Sequence, residues 1–364
     1  MFALPWTRDT VPHAVIEITR DCNLACRACY RAKEPGMRTV AEILQDVAII
    51  EKHQRVQTIS LAGGEPTLHP ELPEIVRRVK ARGHRVSLVT NAVLLDDAML
   101  TTLAAAGLDI VMIHVDEGQT RPDLPEAADI AALNAQYVMN TYAPSALREQ
   151  LAARVCAHGI TAGLCTTLYP ESLANLPALI DVFLRNPNIN FLFATHAVAI
   201  PKLVAQSADG AASTDTTCCG TSNRRVMETL RKAFGLEPYA YIAPTAPMPD
   251  GEWPCITFSV PVAHRAQPRF LRMRSGRVDR ALVRVSRLIA GRYLYFTPNR
   301  VLANAVQILV NGLGSRHPLR ALAFLAGAIG VPLRMKRLVF ENAPRLTEAG
   351  TVNCCDFCPN ATVR

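Results

Sequence analysis

Hydrophobic residues between about positions 14 and 200 occur in short runs, separated by longer segments with one apolar face. Several runs are continuous rather than alternating, which is typical of parallel strands buried on both faces. The runs lie at 14–19, 58–62, 85–90, 109–114, 161–168 and 190–197. The amphipathic segments between them lie at 40–52, 71–82, 97–106, 146–158 and 173–186. Six strand–helix units in succession predict an α/β fold with a partial parallel (β/α)6 barrel.

Glycines mark where the predicted helices end. Gly83, Gly107 and Gly159 each follow a helical segment and precede a strand, where a left-handed residue commonly closes a helix. In parallel α/β barrels the chemistry lies at the carboxyl ends of the strands. We therefore expect functional residues just after each apolar run, and we interpret 118–145 as a long loop that covers this end.

The strand–helix rhythm stops near residue 200. We divide the chain into a barrel at 12–200, a cysteine-containing linker at 201–258 and a basic, apolar, mostly helical extension at 259–364. Helical candidates in the extension lie at 279–290, 299–311 and 318–328, and each is too short to span a bilayer.

Composition narrows the class of protein. A hydrophobic content of 49% excludes a disordered chain. The sequence contains no run of 18 uncharged apolar residues and no signal-peptide pattern, so we expect a cytoplasmic protein. Its eleven cysteines are grouped, with three at 22–29, two at 218–219 and three at 354–358, which favours metal ligation over disulfides.

Positive charge is concentrated in one segment. Between Arg265 and Phe340 there are fourteen Arg and one Lys against a single acid, Asp279, within a chain of net charge +8. This asymmetry indicates either an anionic partner or a solvated basic face. Short helices that mix Arg with aliphatic residues fit a peripheral contact with an anionic membrane, a groove for an anionic or lipid-like substrate, or ordinary packing. Nucleic acid is a weaker alternative, because aromatic residues for base stacking are sparse.

The segment Cys22-Asn-Leu-Ala-Cys26-Arg-Ala-Cys29 directly follows the first strand. Its C-x3-C-x2-C spacing allows three thiolates to reach three irons of a [4Fe-4S] cluster. The fourth iron then has no protein ligand and is open to a cofactor or substrate. A zinc site would more often show paired C-x2-C arms and a fourth ligand.

This cysteine loop, followed by Gly63-Gly64-Glu65-Pro66 after the second strand, resembles the radical S-adenosylmethionine (radical SAM) superfamily over roughly 12–200. The resemblance implies that Cys22, Cys26 and Cys29 hold the cluster. It also implies that the cluster reductively cleaves S-adenosylmethionine to a 5′-deoxyadenosyl radical, which abstracts hydrogen from an unidentified substrate. A reductant such as flavodoxin or ferredoxin is then required. An electron-transfer iron–sulfur protein and a zinc-binding interaction protein on the same scaffold are the alternatives.

The resemblance also implies which residues contact the cofactor. Gly63, Gly64, Glu65 and Pro66 match the segment that holds the methionyl group, and the glycines by themselves permit close backbone approach. Thr90-Asn91, after the third strand, matches the position near the ribose. The family usually has an aromatic residue before the third cysteine, whereas this chain has Ala28 there. Either Tyr30, directly after Cys29, is the adenine contact, or the adenine is held mainly by the backbone.

Acid–base and further metal-binding candidates complete the set. His114, Asp116 and Glu117 end the fourth strand and are candidate substrate, cofactor or proton-transfer groups. The carboxyl-terminal Cys354, Cys355 and Cys358 suggest an auxiliary iron–sulfur cluster, with a fourth ligand from Cys218, Cys219 or Cys255. Zinc binding and unligated or redox thiols are the alternatives.

Overall fold

A computed structural model describes most of the chain. It covers residues 1–6, 12–29, 35–197, 221–243, 253–273, 276–290, 301–314, 318–342, 345–346, 352–353 and 361–363. Six predicted site residues lie outside these ranges: Tyr30, Cys218, Cys219, Cys354, Cys355 and Cys358.

The amino-terminal part alternates strands and helices, as the hydrophobic pattern predicts. Its strands are β1 (Phe2–Leu4), β2 (His13–Thr19), β3 (Thr58–Gly63), β4 (Arg85–Thr90), β5 (Ile110–His114), β6 (Thr161–Leu168) and β7 (Ile189–His196). Its helices are α1 (Val40–His53), α2 (Leu72–Ala81), α3 (Asp97–Ala106), α4 (Ala127–Asn134), α5 (Ala143–Ala157) and α6 (Ser172–Arg185). Each predicted strand and helix is present, and α4 occupies part of the segment interpreted as a loop.

Local sequence signals explain where these helices begin and end. Thr39 and Glu42 form a reciprocal capping box at the start of α1, and the Asp96 carboxylate accepts from the Met99 N–H at 2.8 Å at the start of α3. Gly107 closes α3 with a φ of 95°, and Gly83 and Gly159 also have positive φ, as the sequence predicts.

The carboxyl-terminal part adds both strands and helices. Its strands are β8 (Ala240–Ile242), β9 (Cys255–Ala263), β10 (Arg269–Phe270), β11 (Leu333–Glu341), β12 (Arg345–Leu346), β13 (Val352–Asn353) and β14 (Ala361–Val363). Its helices are α7 (Asn223–Phe234), α8 (Arg277–Ala290), α9 (Val301–Leu313) and α10 (Pro318–Gly327). The three helices predicted in the extension correspond to α8, α9 and α10.

One twelve-stranded sheet includes strands from both parts. Its order is β1-β8-β9-β11-β7-β6-β5-β4-β3-β2-β14, with β10 paired to β9. Strands β2 to β7 are consecutive neighbours and all parallel, which confirms the predicted α/β fold class. β11 is a further parallel neighbour of β7, and β9 pairs antiparallel to β11 over nine residue pairs.

Strands β9 and β11 were not anticipated from the sequence. β9 carries Pro261, which removes a backbone donor, and β11 carries Arg334, Lys336 and Arg337. These cations obscure the apolar strand signal. Lys336 is nevertheless fully buried, because its ammonium donates to the Asn186 carbonyl and, at 2.5 Å, to the Ile189 carbonyl.

Two hydrophobic cores pack on opposite faces of the sheet. The larger core joins strand residues such as Ile16, Leu61 and Leu88 to helices α1 to α3 and α5 to α7. The second core includes residues of β1, β8, β9 and β11 together with α8 to α10. On β11, Leu338 and Phe340 belong to the first core and Val339 to the second, as strand alternation requires.

The second core lies on the same sheet face as the candidate residue His114. His114 pairs laterally with Cys165, Cys165 with Phe193, and Phe193 with Val339, so these four residues form one row across parallel strands. Laterally paired residues point to the same face of a sheet. Helices α8 to α10 therefore cover this face beside β7, β11 and β9. At the other end of the row, the His114 side chain keeps 28% of its surface exposed.

Candidate active site

The cysteine loop, residues 20–29, is tied to the ends of neighbouring strands by backbone hydrogen bonds. The Gly64 N–H donates to the Thr19 carbonyl at 2.8 Å, and the Glu65 N–H donates to the Asp21 carbonyl at 2.7 Å. Farther along the loop, the Arg27 N–H donates to the Gly118 carbonyl at 2.8 Å. The loop is therefore held on one side by the end of β3 and on the other by the segment after β5.

Gly63 and Gly64 are required by this close contact. A Cβ on Gly63 would lie 2.2 Å from the Thr19 carbonyl oxygen, and one on Gly64 would lie 2.1 Å from that of Asp21. Gly63 also has a φ of 142°, which disfavours any other residue. The two glycines thus provide the close backbone approach expected from the sequence, and what approaches them is the base of the cysteine loop.

Glu65 links the ends of β3 and β4. Its side chain is 1% exposed, and its Oε1 accepts from the Thr67 N–H at 3.0 Å, the Thr67 hydroxyl at 2.6 Å and the Thr90 hydroxyl at 2.6 Å. Its Oε2 accepts from the Asn91 N–H at 2.7 Å. Glu65 also caps a 3-10 turn that begins at Pro66. Four donors therefore fix this carboxylate, and Oε2 retains more acceptor capacity than Oε1.

Asn91 connects β4 to the cysteine loop and to the β5 side. Its amide nitrogen donates to Asn23 Oδ1 at 2.7 Å, and its carbonyl accepts from Arg121 at 2.8 Å. The Arg121 guanidinium is fully buried, is bound through two nitrogens to Asp123 at 2.9 Å each, and donates to Gln119 Oε1 at 3.0 Å. Asn23, Gln119 and Arg121 were not predicted as site residues, because Asn23 and Arg121 meet Asn91 across 68 and 30 residues of the chain.

The three acid–base candidates have different surroundings. His114 Nε2 lies 3.1 Å from Asp116 Oδ2, and the other oxygen of Asp116 accepts from the Gly118 N–H at 2.8 Å. Burial opposes ionisation of Asp116, but hydrogen bonds from His114, Thr167 and Gly118 outweigh it and lower the pKa of this carboxyl. Glu117 is instead occupied by Ser172 and, at 2.7 Å, by the Asn175 amide on α6.

Tyr169, just after β6, brings an aromatic ring to the cysteine loop. Its hydroxyl accepts from the Ala28 N–H at 3.3 Å, and the Arg27 guanidinium lies 4.0 Å from the ring centroid. Arg27 also pairs with Glu171. A Cβ on Gly118 would lie 2.0 Å from the Tyr169 hydroxyl, so the glycine makes room for this ring. Tyr30, the aromatic residue predicted to contact adenine, lies outside the described residues, and Tyr169 was not predicted from the sequence.

The model of the radical SAM superfamily matches residues 16–181, which include the cysteine loop and the strand ends around it. This chain carries a radical SAM domain. The sequence-based recognition and the predicted fold class are both confirmed.

Curated relatives share part of the chain. A tungsten-containing aldehyde ferredoxin oxidoreductase cofactor-modifying protein of Pyrococcus furiosus is 36% identical over 122 residues, which is 32% of this chain and 33% of the relative. The Fe-coproporphyrin III synthase of Methanosarcina barkeri is 28% identical over 209 residues, or 55% of this chain and 48% of the relative. The matches thus span between a third and about half of these relatives' lengths.

Solved structures resemble part of this chain distantly. The structure of Streptococcus suis SuiB bound to S-adenosylmethionine has a TM-score of 0.40 and 16% identity, and the match covers 55% of this chain and 42% of SuiB.

The sequence predicts Cys22, Cys26 and Cys29 as cluster ligands, and the structure places all three in the cysteine loop. Cys22 and Cys29 are exposed, and Cys26 is half-buried. Burial, together with neighbouring thiols and carboxylates, raises the pKa of Cys22 and raises that of Cys26 to about 12. A cationic iron centre would reverse this balance and favour the thiolates.

The described residues do not form a preorganised metal-binding site. Among them, no group of three His, Cys, Asp or Glu side chains converges as a set of metal ligands. The donor type and number, the exposure of the loop and its fixed base nevertheless fit a [4Fe-4S] cluster that is held by three thiolates.

Of the cysteines proposed for a second cluster, the structure describes only Cys255. This residue lies in β9, is 3% exposed and belongs to the second hydrophobic core. Burial is the main reason that the pKa of its thiol lies well above the usual range. A ligand role for Cys255, and the auxiliary site as a whole, remain predictions.

Proposed function

We propose that this chain is a radical SAM enzyme in which Cys22, Cys26 and Cys29 ligate a [4Fe-4S] cluster. The observation that carries the proposal is the bonded unit formed by the cysteine loop, Gly63–Glu65 and Asn91. A cluster bound there supplies the electron for reductive cleavage of S-adenosylmethionine. An electron-transfer or zinc-binding protein would have no need of a buried carboxylate with remaining acceptor capacity on Oε2 next to the thiols.

The fixed carboxylate of Glu65 supports a role in holding the methionyl ammonium. Its Oε2 accepts one hydrogen bond from protein, so it can accept another from a cationic group. Four donors hold this carboxylate in place, so little reorganisation is needed when the ammonium binds.

Thr90 and Asn91 support the site in a different way. The Thr90 hydroxyl already donates to Glu65 and accepts from the Ala92 N–H at 2.9 Å, and the Asn91 side chain bonds Asn23 and, at 3.0 Å, the Val93 N–H. We infer that they position Glu65 and the loop, and that a ribose contact is secondary.

His114 is the candidate group on the substrate side of the site. It is partly exposed, it is paired with the buried Asp116, and it lies in the same row as Cys165. A carboxylate beside an imidazole fixes the orientation and tautomer of the ring, which suits proton transfer. Because Glu117 is occupied by α6, we favour His114 with Asp116 over Glu117.

The substrate and the partners follow from the same proposal. We infer an anionic or lipid-like substrate from the basic, apolar carboxyl-terminal helices, and a low-potential reductant such as flavodoxin or ferredoxin from the need for an electron. We also propose a cytoplasmic protein with a peripheral membrane contact. Among the described residues, no helix is long and apolar enough to cross a bilayer.

Anaerobic reconstitution tests the proposal. The full chain is supplied with iron and sulfide, reduced with dithionite and incubated with S-adenosylmethionine, and 5′-deoxyadenosine is measured. We expect about four irons per chain at this site and release of the nucleoside. The Cys26→Ala variant should lose both the four irons and the release of 5′-deoxyadenosine, whereas the Cys156→Ala variant, changed outside the loop, should keep both. A reconstituted cluster that releases no nucleoside would favour electron transfer, and tight zinc binding without iron would favour the interaction protein.

A further inference from the structure

Helix α9 buries polar side chains and exposes apolar ones, which is the reverse of the usual arrangement for a helix on a protein surface. Its buried positions include Asn304, Gln307 and Asn311. Its exposed positions include Leu302 and Leu313, which are 78% and 76% exposed. A surface helix in water normally places apolar residues inside and polar residues outside. The exposed face of α9 is therefore built for an environment other than water.

The buried polar side of α9 is held by specific bonds. The Asn311 amide donates to both oxygens of Asp279 on α8, at 3.0 and 3.1 Å, and the Tyr239 hydroxyl donates to Asp279 at 2.7 Å. These bonds fix the rotation of α9 about its axis. The apolar face consequently remains outward, although turning it inward would bury more apolar surface.

The exposed apolar surface continues across the neighbouring helices. Leu288 and Ile289 on α8 are 83% and 82% exposed, and Leu319 on α10 is 76% exposed. Of the seventeen large hydrophobic residues exposed in the described part of the chain, eleven lie between Val278 and Ile329. Such a concentration marks an interaction surface rather than scattered surface apolar residues.

The charge of the same surface selects among partners. Arg277, Arg280 and Arg284 on α8 and Arg320 on α10 are exposed. Asp279 is the only acid between residues 265 and 340, and it is 1% exposed. A second copy of this chain would place these cations against each other. Nucleic acid would leave the apolar side chains in water, whereas an anionic bilayer accommodates both groups.

We propose that the exposed faces of α8, α9 and α10 form a docking surface that lies in the headgroup region of an anionic lipid bilayer. The leucines and isoleucines enter the acyl boundary, and the arginines contact lipid phosphates. Since α8 to α10 also cover the sheet face beside the His114 row, docking places the site next to the membrane. The docking itself does not rest on the proposed radical chemistry, because the apoprotein carries the same surface.

Vesicle co-sedimentation of the full-length apoprotein tests this proposal. Phosphatidylcholine vesicles are compared with vesicles that contain about 30 mol% phosphatidylglycerol. We expect binding to the anionic vesicles, weaker binding to the neutral ones, and a loss of binding when salt rises from about 0.1 to about 0.5 M.

Two double substitutions separate the apolar and charged contributions. Leu288→Ser with Leu302→Ser, and Arg277→Glu with Arg284→Glu, should each weaken binding to anionic vesicles by about tenfold or more. The matched controls, Ile49→Ser with Val138→Ser and Arg55→Glu with Arg78→Glu, change exposed residues of the amino-terminal part and should bind as the unmodified chain does. Circular dichroism melting confirms that the variants are folded.

Several results would overturn the proposal. One is the absence of binding by the unmodified chain to anionic vesicles, which requires no variant. Another is equal binding by all variants. Sedimentation velocity that shows a dimer, lost in the leucine double variant, would assign the surface to self-association. Binding of tRNA without vesicle binding, lost in the arginine double variant, would assign it to nucleic acid.

Discussion

The cysteine-loop region and the α8–α10 region both bury polar side chains, but they differ in what they leave exposed. Around the loop, the side chains of Glu65 and Arg121 are buried and hydrogen-bonded, and two cysteines are exposed. On α8 to α10, Asp279 and Asn311 are buried and bonded, and large aliphatic side chains are exposed. The first arrangement positions reactive groups, whereas the second maintains an apolar surface. In both regions, hydrogen-bonded buried side chains hold the surrounding backbone in place. The two regions differ in function because one exposes thiols and the other exposes aliphatic side chains.

The largest expected effect in the loop region comes from Gly64→Ala. The added methyl would lie 2.1 Å from the Asp21 carbonyl oxygen, so the loop base must move. We expect a loss of about 3 kcal/mol in the free energy of unfolding and failure to retain the cluster. Denaturant unfolding and iron analysis measure both. Gly36→Ala is the control, since the added methyl would lie 3.6 Å from the nearest atom, Cδ of Arg20. Equal stability of the two variants would show that the loop is not tightly packed there.

A smaller effect is expected for Glu65→Gln. An amide in place of the carboxylate turns a donor toward Thr67, Thr90 or Asn91, all of which donate to Glu65. One unsatisfied buried contact costs about 2 kcal/mol. Urea unfolding checks this value, with Glu71→Gln as the control, because Glu71 is exposed and its side chain makes no capping bond. A Glu65→Gln variant as stable as the control would contradict the linking role of the carboxylate.

Glu149 is a buried carboxyl that is not fully hydrogen-bonded, unlike Glu65 and Asp279, and it should make the stability depend on pH. Glu149, in the middle of α5, accepts from the Asn186 amide at 2.7 Å, and burial raises its pKa to about 7. Its folded-state pKa lies above the unfolded value, so the folded state favours the protonated carboxyl. Stability from this group is therefore present below about pH 4.5 and is lost as pH rises through about 7.

Glu149→Gln should remove this dependence. The free energy of unfolding, measured from pH 4.5 to 7.5, should fall less steeply for the variant than for the unmodified chain. The two slopes should differ by at most about 1.4 kcal/mol per pH unit, the largest contribution of a single group. Glu171→Gln is a control of opposite sign, because its bond to Arg27 lowers the pKa of Glu171 despite the effect of burial. Parallel pH profiles for Glu149→Gln and the unmodified chain would refute the assignment.

The smallest effect is expected for Tyr169→Phe. The change removes the acceptor for the Ala28 N–H and keeps the ring beneath Arg27. We expect a loss of about 1 kcal/mol in stability and faster amide exchange at Ala28. Tyr241→Phe on β8 serves as the control. Unchanged exchange at Ala28 would show that the hydroxyl does not hold the loop.

Much of the amino-terminal fold could be predicted because its signals are local. Continuous apolar runs, the capping residues Thr39 and Asp96, and Gly107 each define an element boundary with little help from the rest of the chain. Strands β9 and β11 could not be predicted in this way. Lys336 on β11 is buried through carbonyls that are 147 and 150 residues away, and no local pattern indicates such partners.

The site was predictable to a similar extent. Cys22, Cys26 and Cys29 were assigned to the site from their spacing, and Gly63–Glu65 from the family resemblance and a position next to a strand end. The groups that hold the loop were missed. Tyr169 meets Ala28 across 141 residues, and Arg121 meets Asn91 across 30. Such contacts depend on which strands are neighbours, and that information is supplied by the sheet.

The electron paramagnetic resonance spectrum of the reduced, reconstituted chain, recorded with and without S-adenosylmethionine, tests the central claim most directly. An iron without a protein thiolate should be ligated by the added cofactor, so the signal should change on its addition, and Glu65→Gln should require more cofactor for the same change. A cluster signal that is identical with and without S-adenosylmethionine would show that no open iron is present, and it would contradict the account.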